Sequence, residues 1–133
     1  MAEQGASGVG ELLRALARSE AEAIAQDVNG VRAVVIATSD GFDIATAARA
    51  PVDAQRIAAL ASSMAAIGAV VSTETGLGRS PSVTVGTDNG FAVVYTATHA
   101  GTDLVINVIA GPDALLGQVN YRTAAAARRL ATP

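Results

Sequence analysis

Hydrophobic and polar positions change period several times along the chain, and each change marks an element. From Val9 an apolar stripe at three- and four-residue spacing (Val9, Leu12, Leu13, Leu16, Ala23, Ile24) predicts a helix. Glu20 falls inside that stripe, so the helix is expected to kink there, to end its buried part before it, or to run past the core. Asn29-Gly30 supplies a stop. Val31 to Thr38, VRAVVIAT, is β-branched and apolar on both alternating faces, the pattern of a central strand covered on both sides. Ser39-Asp40-Gly41 makes a turn, and the more polar Phe42 to Thr46 suits a hairpin partner at a sheet edge.

Asp53 is placed to cap a second helix running to about Ser72. Ile57, Leu60, Ala61, Met64, Ile67 and Val71 recur at helical spacing as its buried face. Beside them lies a strip of small residues: Ala58, Ser62, Ala65 and Ala69. Alanine is the best helix former, so the strip has an ordinary explanation; it would also let another helix approach closely. Gly76 to Arg79 ends this helix. Ser82 to Gly86, Phe91 to Ala97 and Leu104 to Ile109 then read as three strands, separated by Asp88-Asn89-Gly90 and His99-Ala100-Gly101. The last is apolar on both faces except for Asn107, which assigns it to the sheet interior. Gly111-Pro112-Asp113 is expected to open a final helix with Pro in its first position, buried along Leu116, Val119, Thr123, Ala126, Ala127 and Leu130.

Composition narrows the picture. The 133 residues suit one domain, at 9–131, behind a loose leader at 1–8. Half are hydrophobic, chiefly Ala and Val, with two Phe, two Tyr and no Trp. Such thin side chains imply close packing. Net charge is -3 and the nine arginines are scattered, which offers nucleic acid no phosphate-tracking stripe. Met1 to Gly8 lacks the basic and apolar regions of a signal peptide. The uncharged stretch Ile57 to Ser72 falls short of the roughly 20 residues of a bilayer crossing. A soluble, cytoplasmic protein without membrane insertion is expected, and the lysine-free, Ala- and Arg-rich composition hints at a GC-rich bacterial genome.

Most catalytic chemistry lacks its reagents. There is no Cys and no Lys, so thiolate nucleophiles, Cys-bound metals, Schiff bases and a phosphate-loop lysine are excluded. Asp40 and Asp43 flank Gly41 at a spacing that matches no calcium loop and read as a solvated turn. Gly76-Leu77-Gly78 follows a helix and precedes a strand, the wrong order for a dinucleotide loop. His99, the only histidine, reads as an exposed turn residue. No enzyme, metal or cofactor is expected. What remains is surface: Ser82 to Gly86 looks like an edge strand, with Val83 and Val85 inward and Ser82, Thr84 and Gly86 outward. Only Pro81 guards it. Such an edge beside a smooth helical ridge predicts that a second copy completes it through an isologous contact.

The order helix, hairpin, helix, three-strand meander, helix, together with Gly30-Val31 leading into VRAVVIAT, the Ser39-Asp40-Gly41 turn, the Ala-rich helix, Asn89-Gly90-Phe91 and LVINVI, resembles the roadblock/dynein-light-chain family. The likeness runs from about Asn29 to Leu130 and is to bacterial members of the mutual gliding-motility protein B type. It implies an α/β (α+β), roadblock/profilin-like fold: α-β-β-α-β-β-β-α, with a five-stranded antiparallel sheet in the order 2-1-5-4-3, one helix on one face and two on the other. It further implies a homodimer joined by third strands and second helices, using Ala58, Ser62, Ala65, Ala69, Ser82, Val83, Thr84 and Val85. The implied partner is a Ras-like small GTPase, regulated or scaffolded on Arg56, Ala59, Ser63 and Ala66, with Arg49 and Gln55 near the rim. The alternative expectation is a structural dimeric scaffold for another protein, without nucleotide dependence.

Overall fold

Two strands that are apolar on both faces set the centre of the sheet, and the elements around them fall in the expected order. The computed structural model describes residues 10–131; the expected leader at 1–8, and Val9, lie outside them. The elements are α1 (Glu11–Asp27), β1 (Val31–Thr38), β2 (Asp43–Ala48), α2 (Ala54–Thr75), β3 (Ser82–Thr87), β4 (Gly90–His99), β5 (Thr102–Ala110) and α3 (Leu116–Ala131). All neighbours pair antiparallel in the order β2-β1-β5-β4-β3, so β1 and β5 are flanked on both sides while β2 and β3 are the rims.

The side chains of β1, β4 and β5 alternate between two cores. On one face α1 and α3 cover Val34, Ile36, Val93, Ile106 and Val108 with Leu13, Ile24, Val119 and Leu130. On the other, α2 alone covers Val35, Ala37, Val94 and Val105, using Ala58 and Ala61. Asn107 stands opposite Val35 and Val94 and so faces α2. It is buried, and its Oδ1 has no hydrogen-bond partner among the described residues.

Glu20 does not kink α1, which is continuous from Glu11 to Asp27. The buried stripe is Leu13, Ala17, Ala21 and Ile24, while Leu12 is 69% exposed. Alanines, which the larger leucines outweigh in a reading by hydrophobicity, form the line against the sheet. That turns Glu20 toward α3, where both its oxygens accept hydrogen bonds from Arg129 at 2.8 Å. These bonds, more than the neighbouring carboxylate charge, raise the guanidinium pKa against the opposing effect of burial. With Arg129 half exposed, the pair contributes no more than about 1 kcal/mol. Arg122 bonds Asp27 at 3.1 Å further along, fixing the two helices antiparallel.

Several boundaries differ from expectation, and three of the differences have a clear local reason. β2 starts at Asp43 because Phe42 is used in the turn, its carbonyl accepting from the Thr38 N–H at 2.9 Å. Gly111-Pro112-Asp113 forms a turn instead of a first helical turn, and α3 begins at Leu116. The Gly111 N–H donates to the Gly30 carbonyl at 2.8 Å and the Ala114 N–H to the Gly111 carbonyl at 3.2 Å, so the segment docks on Gly30 first. His99 is not a free turn residue: its Nδ1–H donates to the Leu130 carbonyl at 2.8 Å and caps the end of α3. The turn after it is Ala100-Gly101, both at positive φ (48° and 83°), as a two-residue hairpin requires.

Gly30 has φ 86°, and a Cβ there would stand 2.6–2.7 Å from Ala114. Gly30→Ala therefore combines backbone strain with overpacking, and urea unfolding should show a loss of about 2–4 kcal/mol. A loss below about 0.5 kcal/mol would mean that the segment does not dock on Gly30.

Candidate protein-docking surface

Helix α2 carries no charge between Arg56 and Glu74. Asp53 caps it, Oδ1 accepting from the Arg56 N–H at 3.1 Å, and Gly76 closes it in the left-handed conformation with its N–H on the Ser72 carbonyl. At 22 residues it outruns the stretch expected, and by length and composition alone it could cross a membrane. A helix with no polar face must be covered on more than one side. One side is the sheet.

The seat on the sheet is made by small residues. Ala58, Ala61 and Gly68 are buried, with Ile57, Met64 and Ala65 partly so. A Cβ on Gly68 would come within 2.7 Å of Val83 and 2.8 Å of the Ser80 hydroxyl. So tight a seat leaves room for large side chains only at its margin, at Ile57 and Met64, and the others are displaced outward: Leu60, Ile67, Val70 and Val71 are each 50–62% exposed.

This corrects half of the sequence-based assignment of the two faces. Of the expected buried face Ala61 is enclosed and Ile57 and Met64 pack half-buried against the same core, whereas Leu60, Ile67 and Val71 lie in the open. Of the expected inter-protomer ridge, Ala58 is 0% exposed and cannot touch a second copy, and Ser62 and Ala65 are half-buried. The Ser62 hydroxyl donates within the protomer, to the Ala58 carbonyl at 3.2 Å and more weakly toward that of Thr38 at 3.5 Å. Ala69 alone of the strip is exposed. The missed signal was the absence of charge: a helix needing cover on two sides places its smallest residues on the flatter, tighter one.

β3 is a rim strand, hydrogen-bonded only to β4. Val83 is half-buried against Gly68, while Val85, expected inward, is 41% exposed because α2 does not reach over it. Ser82 is half-buried and Thr84 exposed. Ile67, Val71, Leu77 and Val83 line an apolar groove between α2 and this strand. The bare strand edge and the displaced Ile67 and Val71 side chains are therefore one continuous surface.

On the outer side of α2, Gln55, Arg56, Ala59, Ser63 and Ala66 are all exposed. Arg56 lies 3.9 Å from Asp53, a solvated contact. Arg49 does not join them. Its guanidinium donates to the carbonyls of Val31 at 2.8 Å and Ala25 at 3.2 Å, on the face carrying α1, and it serves as a clasp at the end of that helix. Among the described residues no three His, Cys, Asp or Glu side chains gather to hold a metal. What the arrangement offers is contact area.

Residues 20–110 match the Roadblock/LC7 domain family. No curated protein matches the chain. Among solved structures it is similar to a roadblock/LC7 domain from Streptomyces avermitilis, at 24% identity and TM-score 0.75 over 85% of this chain and 92% of that one. It is similar to the gliding protein MglB of Thermus thermophilus, at 18% identity and TM-score 0.79 over 92% and 90%. An MglB solved in a tetrameric arrangement matches over the same shares, at 20% identity and TM-score 0.79. At these identities the likeness carries the fold.

The corrected seating is testable by size. Ala58→Leu should cost about 1–3 kcal/mol in chemical unfolding, and Ala66→Leu should stay within about 0.5 kcal/mol of wild type. Equal effects would contradict the orientation of α2.

Proposed function

Because the chain belongs to the Roadblock/LC7 family, we propose that it is a homodimeric binding module that regulates or scaffolds a Ras-like small GTPase in the cytoplasm. The observation that carries this reading is the continuity of the β3 edge with Ile67, Val71 and Leu77. An exposed apolar surface beside an unpaired strand marks an interaction site. A strand that pairs antiparallel with its own copy satisfies the edge by a twofold operation and brings the two α2 flanks together. Each large side chain so covered contributes about 1.5–3 kcal/mol.

Pairing in this way uses the large flank of α2 and leaves its outer side to a third party. Arg56, Ala59, Ser63 and Ala66 from both copies would then form one shallow platform, flat because its central side chains are small. The Ras-like partner is what the family resemblance implies. Holding the switch segments of the GTPase is the mechanism this platform suits, since rigid helices order mobile loops by contact. The tetrameric arrangement of a related MglB is in keeping with self-association as a property of the fold.

Sedimentation velocity at micromolar concentration should give a dimer, and Ile67→Glu should give a monomer with unchanged circular dichroism. A stable wild-type monomer would overturn the dimer. In capture experiments with a Ras-like GTPase from the same genome, the dimer should retain the GTP-loaded form at least tenfold better than the GDP-loaded form. Ser63→Arg should abolish capture while leaving the dimer intact. Capture blind to the nucleotide would support the plain scaffold instead.

A further inference from the structure

The open edge of β3 presents its backbone groups in a fixed order. The Thr96 N–H donates to the Pro81 carbonyl at 3.2 Å, continuing the pairing of Ser82 with Tyr95, so Pro81 turns its backbone toward β4. Backbone direction alternates from residue to residue along a strand. Val83, Val85 and Thr87 therefore also face β4, while Ser82, Thr84 and Gly86 turn their N–H and carbonyl groups to the open side. The Ser80 hydroxyl donates to the Ser82 carbonyl at a long 3.4 Å, which leaves that oxygen a second lone pair. Nothing stands within 4 Å of where a Cβ on Gly86 would be.

A second pattern lies in the charges. Between Glu74 and Asp103 the only Arg, Lys, Asp or Glu residues are Arg79, before β3, and Asp88, in the turn after it. Both are exposed. Arg79 lines the apolar groove together with Ile67, Val71 and Val83. The edge is thus positive at its start and negative at its end. Two copies laid antiparallel bring unlike charges together at both ends; laid parallel, they would bring like charges together.

A twofold axis that merges two antiparallel edges into one sheet stands perpendicular to it and passes between one residue and its own copy. With Thr84 at that position, Ser82 stands opposite Gly86 of the partner subunit, and every outward-facing residue of each edge is paired. An axis at Val83 or Val85 leaves one of them without a partner inside the strand. The Thr84 register also sets Val83 against Val85 of the partner subunit in a non-hydrogen-bonded pair, where side chains approach most closely. That contact covers the exposed Val85. Ser80 then stands opposite Asp88 of the partner subunit, with Arg79 one residue on, about 3.3 Å further along the strand direction. Backbone and charge select the same register independently.

We propose that a second copy of this chain adds to β3 in this one register, with Thr84 on the twofold and Arg79 of each copy paired to Asp88 of the partner subunit. This register rests on the homodimer proposed above, and adds to it the residues that fix the alignment and reject an edge lacking the same polarity. Charges around a contact act on partner choice more than on raw affinity.

Because the chain has no cysteine, single cysteines introduced into the full chain report the register. Thr84→Cys should cross-link to its own copy under mild oxidation, its Cα atoms being ~5.5 Å apart in a hydrogen-bonded pair. Val83→Cys and Val85→Cys, each offset from its copy along the strand, should cross-link roughly tenfold more slowly. In sedimentation equilibrium at low salt, Arg79→Asp and Asp88→Arg should each weaken the dimer by roughly tenfold. Their combination should return it to within about twofold of wild type, and about 0.5 M NaCl should narrow the differences. Fastest cross-linking at position 83 or 85, single charge reversals without effect on a wild type that dimerises, or a double reversal no better than the single ones would overturn the register and leave the dimer standing. A wild type that stays monomeric at micromolar concentration would overturn both.

Discussion

Helix α2 approaches the sheet as closely as Ala58, Ala61 and Gly68 permit, and the character of the molecular surface follows from that distance. A helix seated on methyl groups and a glycine has no room beneath it for Leu60, Ile67 or Val71, and the last two are left beside β3. Asn107, buried under the same helix with an unpaired Oδ1, adds little to the hold. The two faces of the sheet thus differ in kind. Under α1 and α3 lies a core of large side chains clasped by two ion pairs; under α2 lies a thin layer whose apolar excess points outward.

The fold was legible because its strongest signals are independent of context. VRAVVIAT and LVINVI have no polar face, so they belong in the middle of a sheet, and the glycine-containing turns between shorter strands leave little choice of topology. The unpaired status of β3 was legible for the same reason. Which side of α2 meets the sheet was not. In a helix without charge from residue 57 to 73, periodicity marks several faces at once, and size, not hydrophobicity, settles the seating. Likewise Arg49 and His99 looked available as a rim cation and a turn residue, but each is occupied by main-chain carbonyls that only the tertiary fold brings near.

The two rims of the sheet receive unequal treatment. β2 is bordered by α1, by Asp43 at its start and by the Arg49 clasp at its end. β3 has Pro81 before it and valines along it, next to uncovered valine, leucine and isoleucine on α2. The protomer thus shields one rim and leaves the other both bare and apolar, which is the asymmetry the proposed dimer would use. The Roadblock/LC7 family membership and the likeness to MglB structures place this asymmetry in a fold of binding modules.

The central claim is that two copies meet along β3, and the absence of cysteine allows it to be measured by distance. Two five-stranded sheets joined at β3 separate their β2 strands by nine spacings of ~4.8 Å, about 43 Å. Single nitroxide labels on Val85→Cys and on Thr46→Cys, each read by electron paramagnetic resonance between copies, report that geometry directly. The account predicts strong short-range coupling, under about 20 Å, from position 85 and a distance near about 40 Å from position 46. Absence of coupling at 85, or a shorter distance at 46 than at 85, would contradict it.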